Sequence, residues 1–295
     1  MLSPSQIKQY EEQGFVIVDC PFPPGHYEHI MKLVQENVDL TNSDGVRLSN
    51  LDPRYTVVDT SEVALSLLEH PDVLAMVSDL FGSDDYRLLL ANFNNRTPGI
   101  KPMINWHTDY QEGQREQGPR VEVAWYLTPT MQENGCLRVI PGSHRRHVTD
   151  MRRALALLGR EQKKTWRSYE VHHPDEIDIP LGPNKLLIRD GFIWHCTHMN
   201  KTSDIRYLYA WSYCPLVETA MLVEYELFLP RHIVESPTPV QRRLFSLDES
   251  YRSGLKNRYG QPVTPLRVQL GFEQDRKWRD SSFYRDGEDI RFENP

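Results

Sequence analysis

The sequence predicts a mainly β protein with surrounding helices, built as one domain over residues 1–295. Three observations carry this. Short β-branched and aromatic runs recur between residues 86 and 214, each bounded by Gly or Pro, as in a sandwich or barrel. The first 85 residues show a helical apolar period instead. No repeat, low-complexity tract or clean linker divides the chain. The organisation expected is a helix-rich region over residues 1–85, a β core of about 86–214 and a helical extension over 215–270.

Each element follows from local chemistry. Ser3 to Gly14 reads as a helix with Pro4 in the first turn and Gly14 as the stop. Phe15-Val16-Ile17-Val18 is a compact strand. Tyr27 to Val38 places Ile30, Met31, Val34 and Val38 at helical spacing. Two further helices are expected at Val63 to Leu68 and Pro71 to Phe81, the second closed by Gly82. Strands are expected over 87–93, 104–109, 121–127, 137–140, 185–189, 192–195 and 205–214. Thr149 to Lys164 interrupts them as a helix, with Leu155, Leu157 and Leu158 turned inward. Val217 to Phe228 and Pro239 to Leu247 also read as helices.

Composition narrows the function. A net charge of −7 weighs against nucleic acid as a partner. No apolar stretch reaches the ~18 residues of a membrane span. The N-terminus lacks the apolar core of a secretory signal. Cys20, Cys136, Cys196 and Cys214 contain no CxxC, so neither a disulfide framework nor thiolate zinc is expected. A reducing, cytoplasmic setting fits, with either a monomer or a homodimer.

The motif that carries chemistry is His107-Thr108-Asp109, joined by His195 and by Arg206 eleven residues further on. Two histidines and a carboxylate hold non-haem Fe(II) on one face and leave the other open. A nearby guanidinium suits a dicarboxylate co-substrate. Iron, 2-oxoglutarate and dioxygen follow as the expected set. The tripeptide alone is weak, because His70-Pro71-Asp72 and His173-Pro174-Asp175 also match. Those two carry proline in the middle; the first reads as a helix start and the second as a polar loop. His107 and Asp109 follow an extended run, where residues i and i+2 share a face.

For the third ligand, 185–196 and 205–214 are expected to form an antiparallel hairpin around 199–203. With its turn near Lys201, Arg206 opposes Thr197, and His195 lies one same-face step away. His198 has the other parity and reads as a surface residue. The same-face neighbours of Arg206, Leu208 and Ala210, are apolar, which turns the guanidinium inward toward an anion. Tyr207, Tyr209, Trp211 and Tyr213 then pack on the outer face. Trp125 and Tyr126 flank the cavity, and one of them can line it.

At these residues the chain resembles the phytanoyl-CoA dioxygenase family of Fe(II)/2-oxoglutarate oxygenases, which includes ectoine hydroxylase. The likeness runs from about Leu2 to Cys214. It includes the opening Ser3-Pro4 to Val18, Trp106-His107-x-Asp109, the segment Asn134-Gly135-Cys136-Leu137-Arg138-Val139-Ile140-Pro141-Gly142-Ser143-His144, and Trp194-His195 to Arg206. The resemblance implies a double-stranded β-helix (jelly-roll, cupin-like) core. It implies His107, Asp109 and His195 as iron ligands, Arg206 as anchor of the distal carboxylate of 2-oxoglutarate, and Thr197 beside it. An amide before the HxD strand often helps; Asn92, Asn94 and Asn95 compete, with Asn95 preferred. His144 is structural or pocket-lining. The intact Asp109 points to hydroxylation, since halogenating relatives have a small residue there.

The expected activity is hydroxylation of a small-molecule metabolite. The alternatives are a non-catalytic metal- or ligand-binding protein and a protein or peptide hydroxylase. The basic segment from His144 to Arg167 marks an anionic substrate on one reading. On the other, preferred here, it is the solvated face of a helix.

Overall fold

The computed structural model describes residues 1–38, 62–96, 98, 105–110, 112–165, 168–216, 233 and 235–247. Pro4–Gln13 (α1) opens with a capping box between Ser3 and Gln6 and ends at Gly14, whose φ of 83° lies in the left-handed region. Phe15–Asp19 (β1) follows directly. Pro24–Val38 (α2), Glu62–Leu68 (α3) and Pro71–Phe81 (α4) complete the helical layer. His70 caps α4 and Asp72 sits in its first turn, which is the helix-start role expected of that HxD.

The strands are Tyr86–Phe93 (β2), Val121–Tyr126 (β3), Leu137–Val139 (β4), Ile177–Ile179 (β5), Lys185–Asp190 (β6), His195–Thr197 (β7) and Leu208–Pro215 (β8). They form a five-stranded sheet, β1-β6-β3-β8-β2, and a three-stranded sheet, β5-β4-β7. Every pairing is antiparallel. This is a jelly-roll core, as expected. Glu112–Arg115 (α5) lies between β2 and β3, and Val148–Glu161 (α6) between β4 and β5; Pro239–Leu244 (α7) packs near β2.

Strand alternation decides what each face meets. Val16, Val18, Val123, Ile188, Tyr209, Trp211 and Tyr213 join the helices in the outer core. The aromatic row of β8 therefore packs outward, as its spacing predicts. Phe15, Ala124, Tyr126, Leu187 and Leu208 meet Leu137, Val139 and Ile179 of the small sheet in the inner core. Leu208 and Ala210 do share the inner face, so the argument for an inward Arg206 holds. Tyr126 lines the interior; Trp125 turns outward, donating to the Pro183 carbonyl at 2.8 Å.

Five expectations need correction. The hairpin of 185–196 with 205–214 does not form: β7 pairs with β4, and β8 pairs with β2 and β3. The connecting segment is drawn from one sheet to the other instead. Asn200 bridges Asn134, its Nδ2 donates to Arg96 O at 2.9 Å, and Lys201 N donates to Glu133 O at 2.7 Å. Second, 105–109 is no regular strand; a single bridge, His107 with His195, carries it. Residues 101–104 lie outside the described residues. Third, β7 begins at His195, because 192–194 make the turn out of β6, where Ile193 N donates to Asp190 O. Fourth, β5 has no counterpart among the expected strands; its three residues are too short to show a period. Fifth, Leu157 is 59% exposed while Leu155 is buried. The expected helix 217–228 lies outside the described residues.

Candidate metal and co-substrate site

His107 and Asp109 reach the site through backbone pairing. His107 N and O exchange bonds of 3.0 Å with O and N of His195, and Asp109 N donates to Gly191 O at 3.2 Å. Gly191 is needed here, because a Cβ would collide with the Tyr110 ring. The cross-strand partners His107 and His195 stack with ring centroids 4.1 Å apart.

Both imidazoles are prepared for a metal. The Asn105 carbonyl lies 2.7 Å from His107 Nδ1, and the Ile193 carbonyl 3.0 Å from His195 Nδ1. A carbonyl only accepts, so each Nδ1 carries a proton and Nε2 is the ring atom that can face a metal. His107 Nε2 lies 3.4 Å from Asp109 Oδ1, and His195 Nε2 lies 3.6 Å from Asp109 Oδ2. One ligand atom from each residue falls within 4.8 Å of the others. This donor set fits a facial ferrous site. Burial, with the charge of Arg189 and then His107, holds the His195 imidazole well below its usual range, so it is neutral. Burial alone would raise the Asp109 carboxyl, but Arg189, His195 and His107 together hold it well below the carboxylate range.

Arg189 and Glu122 are site residues that sequence reasoning missed. They are cross-strand neighbours on the inner faces of β6 and β3. Arg189 Nη2 donates to Asp109 Oδ2 at 2.7 Å and also to Glu122 Oε2. Burial, with Asp109 adding, pushes the Glu122 carboxyl well above its usual range against the opposing charge of Arg189. A sequence signal did exist. Lys185–Asp190 is apolar on both faces between its charged ends apart from Arg189, and a charge in such a strand is a buried charge.

The far end of the inner face is different. Arg206 is 1% exposed; its Nη1 donates to Gly135 O, its Nη2 donates to Asn94 O at 3.1 Å, and its guanidinium lies over the Tyr126 ring. Burial pulls its pKa down, with Tyr126 and then Cys136 opposing and no carboxylate joining them among the described residues. Arg206 Nε, Thr197 Oγ1 and Asn95 Nδ2 are buried polar atoms with no hydrogen-bond partner. Arg96, also missed, is the bridge partner of Arg206. Burial and the charge of Arg206 lower it to about 9. A buried donor atom left without an acceptor is costly in a protein interior unless an anion or another acceptor meets it. The residues present therefore fit a carboxylate of 2-oxoglutarate as well as the triad fits iron.

Among the three asparagines, Asn94 Oδ1 accepts from Arg96 Nη1 at 2.6 Å, whereas Asn95 Oδ1 accepts from Leu208 N at 3.3 Å and leaves its Nδ2 without a partner. The Asn92 side chain lies outside the described residues. His144 Nε2 meets Glu11 O at 3.1 Å; it lines a 410 Å³ cavity with Tyr10, Arg115, Asp190 and Phe192, away from the triad ligands. His198 lies on the outer face, its Nε2 2.7 Å from Asp178 Oδ1, in a cluster with Cys136 whose thiol burial pushes up to about 12. In the basic run, Arg145, Arg146, Arg152, Arg160 and Lys164 are solvent-exposed, as the solvated-face reading expects.

The fold and the donor set fit a non-haem iron, 2-oxoglutarate-dependent oxygenase scaffold. The model of the phytanoyl-CoA dioxygenase (PhyH) family matches residues 10–207, and the chain belongs to that family. It is 24% identical over 262 residues to dioxygenase trt7 of Aspergillus terreus, covering 82% of this chain and 84% of that one. It is 27% identical over 188 residues to dioxygenase andF of Emericella variicolor, covering 60% of this chain but 58% of that one. Ectoine dioxygenase of Bordetella bronchiseptica is 23% identical over 196 residues, with 61% of each chain covered. Among solved structures, HygX from Streptomyces hygroscopicus with nickel and 2-oxoglutarate bound shares the fold, with a TM-score of 0.55 at 20% identity over 73% of this chain and 87% of that one. The carbocyclase SnoK of nogalamycin biosynthesis aligns with a TM-score of 0.56 at 16% identity over 74% of this chain and 86% of that one. Within the described residues, no helix is long and apolar enough to cross a membrane.

Proposed function

We propose that the protein is an Fe(II)- and 2-oxoglutarate-dependent dioxygenase that hydroxylates an unactivated C–H bond of a small molecule. The balance is one substrate, one 2-oxoglutarate and one dioxygen giving the alcohol, succinate and carbon dioxide. The observation that carries this reading is the set of buried, unpartnered donors Arg206 Nε, Thr197 Oγ1 and Asn95 Nδ2 on the same jelly roll as the triad. A protein that only bound a metal has no use for them.

His107, Asp109 and His195 would hold the iron, which when bound supplies the oxidising chemistry. The other residues bind and orient. Arg206 takes the distal carboxylate, with Thr197 and Asn95 as further donors. Ala124 and Ala210, directly opposed across β3 and β8, put small side chains on the inner face between the positions of Glu122 and Tyr126. The His107 and His195 imidazoles, oriented by backbone carbonyls, turn Nε2 toward Asp109, and His195 is held neutral by burial. The intact Asp109 favours hydroxylation over halogenation. Fold neighbours described as a carbocyclase and an epimerase share the scaffold, and product analysis by mass spectrometry distinguishes those outcomes from hydroxylation.

Anaerobic addition of Fe(II) and then 2-oxoglutarate to the full chain should give a weak visible charge-transfer band. Succinate formation is then screened over a metabolite panel that includes carboxylates and phosphates. Absence of the band in the wild type would point instead to a non-catalytic metal binder. The four cysteines are free, in keeping with the cytoplasmic setting we propose; size-exclusion chromatography distinguishes monomer from homodimer.

A further inference from the structure

Arg189 is the buried charge that binding iron and 2-oxoglutarate leaves unexplained. It is 8% exposed and projects from β6 into the sandwich. One nitrogen, Nη2, donates to both Asp109 Oδ2 and Glu122 Oε2. Both acceptors therefore lie within hydrogen-bond reach of one atom, and Glu122 stands one guanidinium nitrogen away from the triad. A carboxylate there is a competent ligand for Fe(II). It is largely enclosed, with 15% of its side chain exposed, and such a carboxylate deprived of its cation turns to the next one available.

The coordination count makes this matter. Three protein ligands leave three of six positions on the metal. A chelating keto acid needs two and dioxygen needs one. A fourth protein ligand would leave too few. Asp109 faces a related choice, because its Oδ1 and Oδ2 lie 3.4 Å and 3.6 Å from the two histidine Nε2 atoms.

We infer that Arg189 limits the site to three protein ligands, by holding Glu122 off the metal and occupying one oxygen of Asp109. Arg189 is thus a positioning residue, acting through two carboxylates. The planar guanidinium suits this task, since its fork can face two acceptors at fixed geometry, and a lysine ammonium is a single point charge. The inference rests on the dioxygenase reading for its consequence, but not for its test.

The experiment compares wild type, R189M, E122Q and the double variant R189M/E122Q as full chains under anaerobic conditions. Two quantities are read: Co(II) affinity by calorimetry, and the 2-oxoglutarate concentration that half-fills the Fe(II) charge-transfer band. R189M should bind Co(II) about tenfold more tightly, the gain expected for one extra carboxylate worth about 1.4 kcal/mol. It should also need at least about tenfold more 2-oxoglutarate, the same free energy read as lost chelation. Adding E122Q to R189M should cancel both changes, with E122Q alone as the baseline. R189M with wild-type Co(II) affinity overturns the inference, and so does a double variant as altered as R189M. If R189M does not fold, R189Q is read in the same way, with and without E122Q. If the wild type shows no band, the dioxygenase reading fails, and the Co(II) arm still decides whether Arg189 sets the ligand count.

Discussion

The two ends of the inner face are built on opposite electrostatic plans. At the triad end, Arg189 sits between Asp109 and Glu122, so charge is compensated within the protein. At the other end, Arg206 and Arg96 lie side by side with carbonyls and an aromatic ring as partners, and neighbouring donors have no acceptor. Under the proposed function, the first end takes a cation among its own ligands and the second takes an anion. The contrast then keeps the two subsites apart by charge.

The most severe way to break the contrast is at the triad. Replacing His107, Asp109 or His195 by Ala should abolish turnover, a loss of at least about a thousandfold for removing a ligand to the reacting metal. Metal content after loading should fall with it; full iron occupancy in H195A would refute the ligand set.

At the anion end the expected effect is smaller and confined to one parameter. R206A should raise the KM for 2-oxoglutarate by about 10- to 100-fold, from losing a charge-assisted contact of about 1.5–3 kcal/mol. The kcat at saturating co-substrate should change much less. An unchanged KM would remove Arg206 from its role.

Stability sharpens the comparison further. In the absence of ligand, R206M should melt no lower than wild type and up to a few degrees higher, since a buried charge without a counter-charge is replaced by an apolar side chain. Wild type should gain melting temperature on addition of Ni(II) with 2-oxoglutarate, and R206M should gain less. Equal ligand-induced gains in the two proteins would contradict the anion site.

The smallest effect is expected at Thr197. T197V should weaken 2-oxoglutarate about three- to tenfold, the worth of one neutral hydrogen bond of about 1 kcal/mol. Its ligand-free melting temperature should hold or rise, because Oγ1 has no partner to lose. A clear drop would mean that the hydroxyl is structural.

Much of the site was legible because its chemistry demands particular residues at characteristic spacings. His107, Asp109 and His195 stood out by donor type, and Arg206 by its distance from His195. Local punctuation also marked α1 and α4 well, since Ser3, Pro4, Gly14, Pro71 and Gly82 act on their immediate neighbours. The hairpin failed because strand pairing is non-local. Asn200 and Lys201 bond to 96 and 133–134, and no local pattern announces partners so far away. His195 and Thr197 lie in the three-stranded sheet, whereas Arg206 bridges Arg96 just ahead of β8, so one hairpin does not carry all three.

The sequence by itself determined which atoms can bind a metal and a carboxylate, where most helices and strands begin, and which strand faces are apolar, since these depend on residue type and short-range geometry. Only the tertiary structure decided that Arg189 stands between Asp109 and Glu122, that Arg96 lies against Arg206, and that three donors are left without acceptors. Those facts depend on which surfaces end up buried together, and burial is what turns an ordinary surface charge into one that must find a partner.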